Sequence, residues 1–235
     1  MNAPRSLGRL AAEIVSCSAC PRLVKWREEA AAHPPRRFQG QRYWAKPIPG
    51  FGDPEARLLV VGLAPAAHGG NRTGRIFTGD ASGDFLFAAL HRAGFANQPV
   101  SVSRDDGLAL RDAWIAAAVR CAPPDNRPTP REFATCRHFL VREIAALENL
   151  RVVLALGALA WRSALEALVE NGVVIPRPRP AFAHGAEVGL GRITLFGSYH
   201  VSQQNTNTGR LTAGMFDGVL ARIKREMGDP KGESR

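Results

Sequence analysis

Residues 57–93, RLLVVGLAPAAHGGNRTGRIFTGDASGDFLFAALHRA, carry the reading that decides the fold. The segment opens on a short, nearly continuous apolar run (57–64), crosses a long polar and glycine-rich stretch, and ends in a helical pattern at 82–93. An apolar run that does not alternate is the mark of a strand buried on both faces. Three more runs of this kind follow: 113–119 (AWIAAAV), 151–157 (RVVLALG) and 193–198 (ITLFGS). Each leads to a helical pattern. Residues 130–147 are opened by Thr129-Pro130-Arg131-Glu132, a capping box with Pro at the first helical position. Residues 158–170 stop at Asn171-Gly172, and a last helix is expected over about 212–227. An earlier helix is expected over 6–31. One helix followed by four strand–helix units predicts an α/β fold, a single-domain three-layer α/β/α arrangement around a four-stranded parallel sheet. Residues 175–185 (IPRPRPAFAHG) read as a loop, and no internal repeat is present.

The chain has 235 residues, 45% hydrophobic and 22% charged, which fits one globular domain or a domain with arms. No run approaches the ~18 apolar residues of a bilayer-spanning helix. The start, MNAPRSLGRLAAEIVSCSAC, lacks the apolar core and cleavage site of a secretory signal. A cytoplasmic protein without membrane contact is therefore expected. Lys and Arg number 31 against 21 acids, a formal charge of +10, the footprint of a polyanion binder. Residues 1–50 hold nine Lys or Arg and three acids, so six of those ten charges sit in about a fifth of the chain. Trp26, Phe38, Tyr43 and Trp44 are interleaved with them, which suits a surface that neutralises phosphates and offers faces for stacking. A solvated arm whose aromatics pack back on the core is the alternative. The expected organisation is a basic N-terminal arm and helix (1–50), a catalytic α/β domain (51–227) and a charged tail (228–235).

In an open parallel sheet the working groups lie at the carboxyl ends of the strands. Two such segments are dense in unusual residues: 62–84 and 198–212. The first is about three times the ~2–6 residues that a strand-to-helix connection needs. Its glycines let backbone N–H groups face a ligand at little steric cost. It matches neither a G-x-G-x-x-G turn nor a G-x-x-x-x-G-K-[ST] phosphate loop. The four cysteines are also ordered: Cys17-x-x-Cys20, then Cys121 and Cys136 separated by 14 residues. They suggest one four-thiolate site, either a [4Fe–4S] cluster or a structural zinc. Zinc ribbons show two close pairs, so the cluster fits better. Two disulfides, or four unrelated buried thiols, are the remaining alternatives.

Taken together, Cys17, Cys20, Cys121 and Cys136, the run GLAPAAHGGNRTGRIFTGD (62–80) and the run YHVSQQNTNTGRLT (199–212) resemble the iron–sulfur uracil-DNA glycosylases of the family-five, type B class. The resemblance spans roughly residues 14–225. It implies the uracil-DNA glycosylase-like fold and a monofunctional enzyme that flips a deaminated base out of DNA and hydrolyses its N-glycosidic bond. It also implies a monomer acting on the nucleoid, with a [4Fe–4S] cluster on the four cysteines. His200 takes the position of the family's leaving-group histidine, donating toward uracil O2; a structural histidine is the alternative. Phe77 takes that of the base-stacking aromatic, against an ordinary core Phe. Gly62, Leu63, Ala64 and Pro65 line the pocket floor, and Gly69 and Gly70 let the loop turn near the sugar. Val201, Ser202, Gln203, Gln204, Asn205, Thr206 and the residues to Arg210 resemble the minor-groove loop, with Arg210 as a phosphate clamp. Arg72, and Arg22 and Arg120 beside the cysteines, are further expected DNA contacts.

Two departures bear on mechanism. Superfamily members commonly carry Asp where this chain has Ala64, and a methyl cannot orient water. Asn71 is the first choice to replace it and Asp80 the second, although Asp80 also reads as a helix N-cap. Many relatives carry a base-reading Asn where this chain has Ala117, which implies a relaxed pocket admitting uracil, hypoxanthine and xanthine. A non-cleaving lesion binder on the same fold is one alternative. A nuclease or nucleotide hydrolase is another, for which Asp105–Asp106 or Asp80/Asp84 would be the paired carboxylates.

Overall fold

The computed structural model describes residues 3–228, so all but the first residue of the expected charged tail (228–235) lies outside the described residues. In chain order the elements are α1 (Ala3–Ser16), α2 (Pro21–Ala32), β1 (Phe51–Gly52), β2 (Leu58–Gly62), α3 (Gly70–Thr73), α4 (Ala81–Arg92), β3 (Ala113–Ala117), α5 (Pro130–Ala146), β4 (Val152–Leu156), α6 (Ala158–Glu170), β5 (Glu187–Leu190), β6 (Ile193–Ser198), α7 (Gln203–Asn207) and α8 (Ala213–Glu226). The sheet order is β1-β3-β2-β4-β6-β5.

The four expected strands form the parallel centre, β3-β2-β4-β6, with Val60 beside Ile115 and Leu154, and Ala155 beside Gly197. Every residue of β2, β3, β4 and β6 is buried, as continuous apolar runs require. The expectation of a four-stranded sheet is corrected to six strands. β1 pairs antiparallel with β3, and β5 pairs antiparallel with β6. Both additions are edge strands that present one half-exposed face, so neither carries the apolar run that marks the centre. A second correction concerns residues 6–31, which form two helices rather than one. Pro21 opens α2, and Cys20 before it is extended (φ −118°), because the proline ring disfavours helical backbone in the preceding residue.

Alternation along each strand divides the core. Leu58, Val60, Ile115, Leu154 and Phe196 pack beneath α4 and α8 through Leu86, Leu90, Phe216 and Leu220. Leu59, Val61, Trp114, Val153 and Leu195 face α5 and α6 through Leu140, Ile144, Trp161 and Leu168. A third cluster joins Leu10 and Ile14 of α1 and Leu23 of α2 to Val119, Phe139 and the cysteines. The capping box expected from sequence is in place, with Thr129 and Glu132 completing it on α5; on α8, Thr212 accepts from the Met215 N–H. From β2 the chain moves outward to β3 and then back across to β4. This reversal opens a crevice at the carboxyl ends of the central strands. Among the described residues no helix is long and apolar enough to cross a membrane.

Candidate active site

A cleft of about 400 Å3 occupies that crevice. Its walls come from the segments after β2 (Leu63, Ala64, Pro65, Phe77, Asp80), after β3 (Asp125, Asn126, Arg127) and after β6 (His200, Ser202, Gln204). His200 enters just past the end of β6 and is half-buried. Burial holds its imidazole below the usual histidine range, so the ring is neutral at pH 7. It packs against Gly157, just past the end of β4, whose backbone (φ +96°) favours glycine. The His200 carbonyl is held by the Asn205 amide at 2.8 Å.

Phe77 faces His200 with ring centroids 6.3 Å apart. Its backbone is left-handed (φ +51°), a conformation that costs a bulky residue roughly 1–3 kcal/mol and survives only where the surroundings impose it. They do so here. Gly83 leaves room for the Phe77 carbonyl, and Gly62 lies directly beneath the ring, where a Cβ would come within 2.7 Å of Phe77 Cζ. Asp80 is the helix N-cap that the sequence offered, and it also reaches the cleft. Its Oδ1 accepts from the Gly83 N–H at 3.0 Å, capping α4, and the residue also lines the cleft. Burial pushes its carboxyl above the usual range, against the opposing pull of the Gly83 and Ser82 N–H groups.

Other expected site residues point elsewhere. Asn71 is 1% exposed and does not line the cleft; its Nδ2 donates to the Arg27 carbonyl at 3.0 Å, and its Oδ1 is buried without a hydrogen-bond partner. Ala117 is buried within β3, and Gly62 lies under Phe77. Arg72 donates to the carbonyls of His68 and Gly79, both at 2.8 Å, and to Gln41 Oε1 at 3.0 Å. Arg210 is exposed, with its guanidinium 4.7 Å over Tyr199, and Gln203 is exposed beside the cleft. Arg120 is corrected as a phosphate contact. It is 1% exposed and paired with Glu143. Arg22 is spent on Glu132 at 2.7 Å. Val201 is fully buried and anchors its loop.

Asp125, Asn126 and Arg127 were missed in the sequence. Asp125 and Asn126 are left-handed (φ +52° and +55°), which the two residue types tolerate better than other non-glycines. The run Pro123-Pro124-Asp125-Asn126-Arg127-Pro128, in the segment that follows central strand β3, was the available signal.

All four cysteines are free and line one small cavity with Leu23, Val24, Val119 and Phe139. Disulfides are thereby set aside. Arg27 Nη1 lies 3.2 Å from Cys121 Sγ, and the Arg120 N–H lies 3.3 Å from Cys136 Sγ. Burial raises the Cys20, Cys121 and Cys136 thiols, Cys136 to about 12. Among the described residues no group of three or more His, Cys, Asp or Glu side chains is already set to hold a metal ion. The fit to a cluster lies in the donor chemistry: four free thiols on one cavity, two of them facing N–H donors.

The family model of the uracil DNA glycosylase superfamily matches residues 49–224. The chain is 51% identical over 225 residues to a type-5 uracil-DNA glycosylase of Mycobacterium tuberculosis, covering 95% of this chain and 82% of that one. It is 52% identical over 216 residues to a type-5 uracil-DNA glycosylase of Thermus thermophilus, covering 92% and 95%. A type-4 uracil-DNA glycosylase of Pyrobaculum aerophilum is 31% identical over 156 residues, covering 66% and 62%. The chain belongs to the uracil DNA glycosylase superfamily and, within it, to the type-5 uracil-DNA glycosylases.

Proposed function

We propose that the protein excises uracil from DNA by hydrolysing the N-glycosidic bond, leaving an abasic site. The observation that carries this reading is a neutral His200, an aromatic Phe77 and a half-buried Asp80 carboxylate facing one cleft at the sheet's switch point. The flipped base lies in the cleft against Phe77, floored by Leu63, Ala64 and Pro65. As the C1′–N1 bond breaks, its electron pair passes into the base, and the neutral imidazole N–H of His200 donates to O2. Water adds at C1′ and loses its proton toward Asp80. Ala64 has only a methyl to offer and Asn71 points away, so Asp80 is the group that orients this water. These groups favour hydrolysis over lesion binding alone.

With Ala117 buried in β3, no amide from that position reads the pyrimidine edge, which supports acceptance of hypoxanthine and xanthine beside uracil. Ser202, Gln203, Gln204 and Arg210 contact the strand, which a net charge of +10 suits, and the enzyme works on the nucleoid as a cytoplasmic monomer. Cys17, Cys20, Cys121 and Cys136 would hold a [4Fe–4S] cluster, which would supply a structural crosslink between the segments around α1 and α2, α5 and the stretch after β3. Labelled duplexes carrying one uracil or one hypoxanthine, treated with alkali after incubation, test the activity. Breaks lost in His200→Ala are expected; tight binding without breaks in the wild type would overturn it.

A further inference from the structure

A second cleft, of about 470 Å3, adjoins the first and shares Ala66, Asp80 and Asn126 with it. Its far wall comes from the N-terminal segment: Arg37 and Phe38, backed by His68. The Phe38 ring is half-buried, with the Arg72 guanidinium 4.3 Å and the Arg37 guanidinium 4.8 Å from its centroid. Arg72 is immobilised by its three hydrogen bonds, whereas Arg37 is exposed and has no carboxylate partner among the described residues. The His68 ring lies 6.2 Å from Phe38, and its Nδ1 is 3.0 Å from the Tyr43 hydroxyl. Burial first, and then Arg37 and Arg72, keep that imidazole neutral. The wall therefore combines two flat rings with an uncompensated guanidinium. This combination suits a ligand that is planar at one end and anionic at the other.

We propose that this cleft is a subsite for the nucleotide adjacent to the flipped one on the same strand, its phosphate against Arg37 and its base against the Phe38 and His68 wall. The assignment rests on the first cleft being the base site, and continuity through Asp80 and Asn126 makes the occupant the next residue of the same chain. The neighbour reaches this wall only after leaving the helical stack, so the subsite acts mainly on single strands, where unstacking costs least.

The test uses the full chain and three single-stranded oligonucleotides: uracil in the centre, uracil at the 5′ end and uracil at the 3′ end. Phe38→Ala is expected to lower kcat/KM roughly 5- to 100-fold on the central-uracil strand, the range that base–aromatic stacking supports. Phe38→Tyr should restore it. On the strand lacking the neighbour that the cleft holds, wild type and variant should cleave alike. Arg37→Ala, at an exposed position, carries the same comparison if Phe38→Ala unfolds. Equal losses on all three strands, or no loss on any, would overturn the subsite. His200→Ala separates the two readings, because it should slow cleavage of every strand by ~10²–10³; unimpaired cleavage by that variant would instead remove the base-site reading.

Discussion

Between β2 and α4 the chain ties itself down at nearly every turn, whereas between β6 and α8 it lies open to solvent. In the first loop Arg75 is 4% exposed, paired with Asp106 at 2.7 Å and bonded to Ser101 and Thr78. Asn71 is bound to Arg27, and Phe77 is held in a left-handed backbone. The second loop is anchored by buried Val201 and Leu211. Between them Gln203, Gln204, Asn207, Thr208 and Arg210 are exposed, and most of the bonds are local. Under the proposed function the difference is one of task. A wall that grips a base must be in position before the base arrives, since preorganised groups cost no rearrangement during reaction. A surface that meets a phosphate backbone gains from side chains able to adjust.

The largest effect should come from breaking the rigid loop at its buried charge. Arg75→Met leaves Asp106 unpaired and should cost about 3–5 kcal/mol in denaturant unfolding. Arg210→Met in the open loop should stay within about 0.5 kcal/mol. Burial pushes the Asp106 carboxyl up, but Arg75 and the Leu108, Val102 and Ser103 N–H groups more than offset this and hold it below its ordinary 3.8. Its contribution is therefore complete at neutral pH and fades only as pH falls below about 4.

Next in size is the one group of the open loop to which the proposed reaction gives a chemical role. His200→Ala should lower single-turnover excision by ~10²–10³ while leaving the unfolding midpoint unchanged. Across the cleft, excision should decline toward acid as Asp80 takes up a proton, and its raised pKa places that decline above the ordinary 3.8. Asp80→Asn should be slow and show no such limb. A smaller effect sharpens the contrast between the loops. Asn71→Ala removes the buried bond to Arg27 and should cost about 1–3 kcal/mol of stability, with excision falling no more than unfolding explains. A large rate loss at unchanged stability would return Asn71 to the water. Smallest of all, Arg210→Ala should weaken DNA binding a few-fold and reduce the salt slope by about one.

The central sheet was legible because burial on both faces writes an unbroken apolar run, as in β4, and the starts of α4 and α5 were legible through Asp80 and Thr129. β1 and β5 were not, since a two-residue edge strand and a half-exposed hairpin strand leave no such trace. In the site, His200 and Asp80 fall where a strand end and a helix cap put them, which short-range chemistry determines. Asn71 and Arg72 could not be aimed from sequence, because the acceptors that capture Asn71 and one N–H of Arg72, the Arg27 carbonyl and Gln41 Oε1, lie 44 and 31 residues away. Asn126 was hidden for a different reason: its place at the cleft depends on a left-handed turn among prolines that no periodicity announces.

Gly62 sets a limit on how this protein can change. Because the Phe77 ring rests where its side chain would be, the depth of the cleft is set by a missing methyl group. Alanine there would be the mildest substitution by any exchange scale, yet it would drive the ring outward into the space meant for a base. In a library of variants, position 62 should therefore behave as a gauge of pocket depth, tolerating replacement only in company with a smaller residue at 77.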